Sequence, residues 1–350
     1  MYTNHERGVG AMAEIRDIED AVVVGAGPIG LACAISARRR GLEALLIDAG
    51  ALVNSIVHYP IGMTFFTTPD LLEIGGHPFA CAGAKPTREE ALKYYRGVAR
   101  SEALRVRTYT RLAGAAAAGG VVRCDLESRD GARSVTCRRL VLATGYYDHF
   151  NPLDVPGEDL PHVSHRFDEG HRSYGLDVVV IGGKNAAIEA ALELYRAGAR
   201  VTLVYRREAF KPTVKYWLKP DIENRIKAGE IAARLGAEVL RIEPRHVVIR
   251  LADGREERLA ADRVFALTGY HPDFDLFRKI GIALEPGTDR PRCNPETLET
   301  NVPGVYMAGS ITAGRATSEV FIENGRFDGE RIFGDAGAKP AAPAGVGGRG

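Results

Sequence analysis

The chain has little of what marks several large classes of protein. Neither sign of charge dominates: 46 Lys and Arg stand against 45 Asp and Glu, a formal net charge of +1. The basic excess that suits a nucleic-acid or anionic-membrane partner is missing. No apolar run approaches the ~20 residues of a membrane-spanning helix. The first twenty residues are polar and mixed in charge, and do not read as a signal peptide. Cysteine is sparse: Cys33, Cys81, Cys124, Cys137 and Cys293 are odd in number and far apart. They form no CxxC pair and no disulfide framework, which fits a reducing cytoplasm. The expectation is a cytoplasmic protein with no nucleic-acid partner, no membrane partner and no metal site. What is plentiful is glycine, 40 of 350 residues, which clusters where backbone must approach something closely. With 45% hydrophobic and 26% charged residues, the chain has enough for a sizeable core, and its length suits about two domains.

Residues 1–19 lack an apolar period and read as a tail. Residues 334–350, "GDAGAKPAAPAGVGGRG", are Gly/Ala/Pro low complexity and read as a disordered tail. Between them a pattern occurs twice. "AVVVG" (Ala21–Gly25) is a β-branched run of the buried parallel-strand type, followed by a Gly-rich turn and a helix from Pro28 to about Arg40 that Gly41 stops. "DVVVIG" (Asp177–Gly182) repeats it, with a helix from about Asn185 to Ala197 stopped by Gly198 and a strand Val201–Tyr205. Each unit closes alike: hairpin signals Asp130-Gly131 and Asp253-Gly254, then strands ending at Thr144-Gly145 and Thr268-Gly269. The Asp-Gly turns are 123 residues apart and the Gly-rich turns 157, so the first unit carries 34 extra residues. These fit 51–84, a Pro-, Gly- and aromatic-rich loop ahead of a helix that Thr87 and Glu90 cap as a capping box. The fold class expected is α/β, with two Rossmann-like three-layer dinucleotide-binding domains.

Gly25-Ala26-Gly27-Pro28-Ile29-Gly30 is a G-x-G-x-x-G between a strand and a helix. The first glycine makes the turn, the second admits a pyrophosphate, and the third lets helix and strand pack closely. The phosphates sit on the helix N-terminus. Asp48 closes the next strand, 18 residues after Gly30, where an acid holds a ribose. The second turn, Gly182-Gly183-Lys184-Asn185-Ala186-Ala187, is a relaxed version, with Lys184 at the second-glycine place and Ala187 at the third. Its following strand ends in Tyr205-Arg206-Arg207, with no acid. Two arginines suit a 2′-phosphate, so this unit is expected to take NADPH and not NADH. A third strand-to-glycine turn, Val305 to Ser310, precedes "EVFIENGR", which reads as a C-terminal helix. One dinucleotide per unit, flavin in one and nicotinamide in the other, is the economical reading.

On these residues the chain resembles the two-dinucleotide flavoproteins of thioredoxin-reductase-like shape. Within them it is most similar to the YpdA-type bacillithiol-disulfide reductase family. The resemblance runs from about Asp20 to Phe333, through "NSIVHYPIGMTFF", "LEIG", "KPTREEALKYYRGV", "DVVVIGGKNAAIEAALEL", "VTLVYRR", "GYHPDF" and "VFIENGR". It implies an FAD-containing, NADPH-dependent reductase of a low-molecular-weight thiol disulfide. FAD belongs to the first unit (20–155 and 273–333), with Gly25, Gly27, Pro28, Ile29, Gly30, Asp48, His58, Thr144, Gly145, Gly309 and Ser310 as its site. NADPH belongs to the second (156–272), with Gly182, Gly183, Lys184, Asn185, Ala186, Arg206, Arg207, Thr268 and Gly269. Homodimers or homotetramers are expected.

The chain departs from its relatives in three places. The cysteine-free segment "VSHRFDEGHRSYG" stands where thioredoxin reductases carry CxxC. Ile29 occupies the place of the bacillithiol-disulfide reductases' lone turn cysteine. Ser310 replaces the acid that related flavoproteins place after the final Ala-Gly. The expectation is fast flavin reduction by NADPH, with a disulfide half-reaction lacking the turn thiol unless Cys81, in the extra loop, substitutes. His58 falls where relatives set a residue beside the flavin. Two rivals stand beside this reading: a ferredoxin- or flavodoxin-NADP reductase, with a small electron-carrier protein as partner, and a dinucleotide-binding redox sensor without turnover.

Overall fold

The computed structural model describes residues 14–334. Contacts divide the chain into two units: the first takes the chain through Val57, Gly62–His149 and the part from His271 on, and the second takes His58–Ile61 and Phe150–Tyr270.

In the first unit the strand Ile18–Val24 lies at the sheet's centre, with Ala21, Val22, Val23 and Val24 buried. It pairs in parallel with Ala44–Ile47 on one side and Gly131–Leu142 on the other. Arg105–Arg107 extends the sheet beyond Ala44–Ile47. Gly131–Leu142 is long because its other edge serves two partners. Its first half runs antiparallel to Val121–Ser128, and Leu140–Leu142 pair in parallel with Val305–Met307. Thr110–Ala118 completes the antiparallel edge.

The helix Pro28–Arg39 buries an unbroken run from Gly30 to Ala37. Small residues let the helix Asp328–Phe333 approach it closely: a Cβ on Gly329 would stand 2.7 Å from Cys33 Cα. The extra residues between the second strand and Arg88 contain only two one-turn helices, Asn54–Val57 and Pro69–Leu72. They lead into Arg88–Ser101, whose capping box is formed: Thr87 Oγ1 accepts from Glu90 N at 3.2 Å and Glu90 Oε2 from Thr87 N at 2.8 Å.

Four boundaries differ from expectation. The first strand starts at Ile18, inside the stretch read as tail, because Glu19 is buried there between two Arg105 nitrogens at 2.6 and 2.8 Å. "EVFIENGR" is not one helix: only Ile322–Gly325 within it is helical, and a separate short helix, Asp328–Phe333, follows it. The break follows Gly325, which lies so close to Ile29 and Gly309 that a Cβ would meet them at 3.0 and 3.2 Å. The first crossing between units falls at 149/150 and not 155/156, since Phe150 stacks on the His165 ring at 3.6 Å and Asn151 N donates to Gly269 O at 2.9 Å. The return crossing falls at 270/271, against 272/273. Residues 335–350, most of the C-terminal tail, lie outside the described residues.

The second unit has a five-stranded parallel sheet in the order Ala232–Leu235, Arg200–Tyr205, Asp177–Ile181, Arg263–Ala266, Val163–Ser164. The helix Asn185–Arg196 packs its Ala187, Ile188, Ala191 and Leu194 into a core with Val178, Val180, Leu203 and Phe265. A three-stranded antiparallel sheet, Glu238–Glu243, His246–Arg250 and Glu256–Ala260, shields the other face through Val239, Val247, Ile249 and Leu259. Asp253-Gly254 makes its hairpin turn, as expected. Among the described residues no helix is long and apolar enough to cross a membrane.

Candidate functional site

Both Gly-rich turns lie at the carboxyl ends of parallel strands, where open α/β sheets bind ligands. In the first unit Gly25 has φ +103° and donates to Ile47 O at 2.7 Å. A Cβ there would stand 2.3 Å from Ala143 O, so only glycine lets the turn close on the Ala143-Thr144 strand end. Gly30 is also packed, its would-be Cβ 1.8 Å from Gly25 O. Gly27 is different. Its backbone is extended (φ −76°, ψ 179°) and a Cβ would meet nothing within 4 Å. The fold itself does not need glycine at 27. Pro28 begins the helix, where its missing N–H leaves nothing unmade.

Polar groups converge on this edge. Asp48 Oδ2 accepts from Ala26 N and Oδ1 from Gly50 N, both at 2.8 Å. Burial raises its carboxyl pKa, against the pull of these two N–H groups. Among the described residues Thr144 Oγ1 is buried without a hydrogen-bond partner. Gly145 follows at φ +67°. Ala308 N donates to Leu142 O at 2.8 Å, which brings Gly309 and Ser310 to the same edge. Ile29 sits between: Gly309 and Gly325 would place a Cβ 3.1 and 3.0 Å from its side chain. These residues fit a dinucleotide, with an open glycine, helix N–H groups, an acid and an unmet hydroxyl.

The second turn repeats the closure with other residues. Gly182 (φ +142°) donates to Val204 O at 2.9 Å, and its would-be Cβ lies 2.5 Å from Leu267 O. The Tyr205 ring claims the space at Gly183, at 2.4 Å. Lys184 stands at the helix N-cap, followed by Asn185 and Ala186. Burial lowers the Lys184 ammonium pKa, and Lys211, Arg206 and Arg207 lower it further. Among the described residues no carboxylate pairs with these four cations. Like charges gathered at a helix N-terminus fit an anion that would relieve them. Thr268 has another task, since its hydroxyl donates to Asn151 O at 2.5 Å and Asn151 Nδ2 returns a bond to Thr268 O.

The sequence matches the pyridine nucleotide-disulphide oxidoreductase family over residues 22–309. The chain belongs to this family. It is 44% identical to the bacilliredoxin reductase Bdr of Bacillus subtilis over 314 residues, covering 90% of this chain and 96% of that protein. The structure is similar to the bacillithiol disulfide reductase Bdr (YpdA) of Bacillus cereus, with a TM-score of 0.88 and 41% identity over 90% of this chain and 97% of that one. It is similar to the same enzyme from Staphylococcus aureus at TM-score 0.85 and 38% identity, over 91% and 97% of the two chains. Ferredoxin–NADP reductases are more distant, that of Ignicoccus hospitalis being 27% identical over 84% of this chain and 90% of its own. The fold is the thioredoxin-reductase-like pair of Rossmann-like domains, and a family member of this kind is a flavoprotein oxidoreductase that uses a pyridine nucleotide.

Two further expected residues lie in the extra loop. His58 is exposed and lies in the segment that groups with the second unit, tied there by Ile61 N to Asp168 O at 2.8 Å. Cys81 is half-buried in the extra loop, its thiol donating to Gly83 O at 3.0 Å. Three other thiols are poor nucleophiles: burial pushes Cys33 and Cys293 up, and Cys124 rises through its bond to buried Cys137 (Sγ–Sγ 3.9 Å) and then its burial. Two residues escaped the sequence reading. Lys211 joins the cation cluster, and its only sequence signal is basic density after Arg207. Asp328 Oδ2 accepts from Gly309 N at 2.7 Å, pinning the last glycine turn, and no local signal marks it. Burial raises its carboxyl pKa despite that bond and Arg331.

Proposed function

We propose that the chain is an NADPH-dependent FAD reductase of a low-molecular-weight disulfide, bacillithiol disulfide. One observation carries the reading. Two Gly-rich turns, one backed by an acid and one by Lys184, Arg206, Arg207 and Lys211, occur in a chain similar over nearly its whole length to bacillithiol disulfide reductases. In the first unit Gly27 and the N–H groups of the Pro28 helix would take the FAD pyrophosphate, Asp48 the adenosine ribose, and Thr144, Gly145, Gly309 and Ser310 the rest. In the second unit Gly182 to Ala186 would take the NADPH pyrophosphate, and Arg206 and Arg207 the 2′-phosphate. Bound together, the cofactors supply two-electron transfer from a reduced pyridine ring to a flavin ring. The chain's own residues bind, orient and select. Asp48 is held rigid by its two N–H donors, and the second unit's cations select the phosphorylated nucleotide. A cytoplasmic homo-oligomer fits this role.

Thiol exchange needs an attacking thiolate, and Ile29 cannot supply one at the first turn. Either Cys81 substitutes, or the reduced flavin meets the disulfide directly. The test is steady-state NADPH oxidation with bacillithiol disulfide, ferredoxin and oxygen in turn, in the native protein, Cys81→Ala, and a variant with all five cysteines replaced. Turnover with the disulfide supports the reading, and its loss in Cys81→Ala assigns the thiol. Turnover with ferredoxin alone makes the protein an electron-carrier reductase. Binding of both nucleotides with background oxidation makes it a sensor.

A further inference from the structure

The loop that carries Lys211 is not held by Lys211. It is held four residues later. Lys215 N donates to Asn185 Oδ1 at 2.9 Å, and Lys215 Nζ reaches Glu189 Oε1 at 2.7 Å. Both acceptors lie on the helix that starts behind the second Gly-rich turn, one at its first residue and one a turn later. Between Lys211 and Lys215 the chain makes a tight turn, with Val214 N donating to Lys211 O at 3.1 Å and the Val214 side chain buried in the unit's core. Leu218 N donates to Lys215 O at 3.0 Å and continues the anchorage into the next helix.

This geometry gives the Asn185 amide an unusual use. A residue at the first position of a helix has its side chain beside the unpaired N–H groups of the turn. Here the amide oxygen is turned to a backbone N–H 30 residues on. The Glu189 pair is part-exposed, and such pairs contribute little. The Asn185 bond is part-buried and directional, so it sets the loop's register on the helix. That register decides whether Lys211 stands close enough to Lys184 to lower its ammonium pKa along with Arg206 and Arg207.

We propose that Asn185 is a positioning residue for nucleotide selection: by holding the Lys215 N–H it fixes the Lys211–Val214 turn and places Lys211 in the cation cluster that reads the 2′-phosphate. The proposal rests on the reading of that cluster as the 2′-phosphate site and names how one of its members is held. Trp217, the only Trp in the chain, is part-exposed in the same loop and reports on it.

The experiment uses the holoenzyme as wild type, Asn185→Ala, Asn185→Asp, Lys211→Ala and the Asn185→Ala/Lys211→Ala double variant. Affinities for adenosine 2′,5′-bisphosphate and adenosine 5′-monophosphate are measured by calorimetry, and acrylamide quenching of Trp217 is measured without nucleotide. Wild type should prefer the bisphosphate. Asn185→Ala should weaken the bisphosphate about 2- to 12-fold, the range of one hydrogen bond, and weaken the monophosphate less. The double variant should be no weaker than Lys211→Ala, because the two residues act in series. Quenching should rise in Asn185→Ala, while Asn185→Asp, which keeps an acceptor, should match wild type. Equal losses for both nucleotides, additive losses in the double variant, or unchanged quenching in Asn185→Ala would overturn the proposal. No preference in the wild type would instead overturn the 2′-phosphate reading, and the proposal with it.

Discussion

Gly27→Val separates what the fold asks of glycine from what a ligand asks. Valine adopts the extended backbone at 27 readily, and a Cβ there meets no heavy atom within 4 Å. The reduced freedom of the unfolded chain stabilises by about 0.4–1 kcal/mol, and the poorer N-cap costs a similar amount. The flavin-stripped variant should therefore melt within about 4 °C of wild type. Gly30→Ala is the control. Its methyl would stand 1.8 Å from Gly25 O, so helix and turn must part by more than an ångström. That belongs at the upper end of the ~1–3 kcal/mol for overpacking. For a unit of this size it lowers the melting temperature by roughly 6–12 °C. In Gly27→Val the same ~3 kcal/mol falls on binding and not on folding, about 150-fold in Kd. The assay is circular-dichroism melting of the stripped proteins beside the flavin-to-protein ratio as purified, with the released flavin chromatographed as FAD against FMN. A yellow Gly27→Val with the wild-type ratio would refute the reasoning, and so would one that melts as low as Gly30→Ala.

Three further outcomes are expected. Arg206→Ala should raise the NADPH KM about 10- to 150-fold, the value of a charged hydrogen bond, and leave NADH nearly unchanged; equal losses would mean that the arginine supports the fold. Ile29→Cys sets a thiol at a helix N-terminus, so alkylation should titrate below the ~8.5 of an ordinary cysteine and bacillithiol-disulfide turnover should rise; an ordinary titration with unchanged turnover would remove that position from the acceptor's path. Asp328→Asn tests the buried carboxyl. Its folded pKa is raised, so its favourable contribution is complete below the unfolded value of ~3.9 and is lost as pH climbs through the folded value. The uncharged amide keeps an oxygen for Gly309 N–H. The melting advantage of Asp328→Asn should be largest at pH 7 and shrink toward pH 4, and an advantage that grows on acidification would contradict the argument.

Much of the site was legible because its requirements are local. Gly25 and Gly182 need positive φ, and Thr87 needs a glutamate three residues on. Both signals are written in adjacent residues. Arg206 and Arg207 stand out for the same reason, as a strand end without an acid. What escaped was set by distant partners. Glu19 belongs to a strand because Arg105, 86 residues away, neutralises it in the interior. Asp328 reaches Gly309 across 19 residues, and Lys215, in the loop that carries Lys211, reaches Asn185 across 30. The broken C-terminal helix belongs with these, since the close approach of Ile29 and Gly309 at Gly325 is a tertiary fact. The extra loop was placed correctly by arithmetic between the two repeats, yet the grouping of His58–Ile61 with the second unit had no sequence signal.

The doubly used strand Gly131–Leu142 has a consequence for synthesis. Its last residues pair with Val305–Met307, a segment the ribosome delivers only after the whole of 150–270. The first unit therefore cannot finish its sheet when its own first 149 residues have emerged. An edge of Leu140 to Leu142, apolar and fully buried in the finished protein, stays open until the chain returns. The second unit draws all five strands of its parallel sheet from a continuous stretch, so it can close first, reversing the usual N-terminal-first order. Nascent chains with about 275 to 300 residues clear of the exit tunnel should thus carry a protease-resistant second unit beside an incomplete, aggregation-prone first one. Protection of the first unit should appear in one step once Val305–Met307 has cleared the exit tunnel.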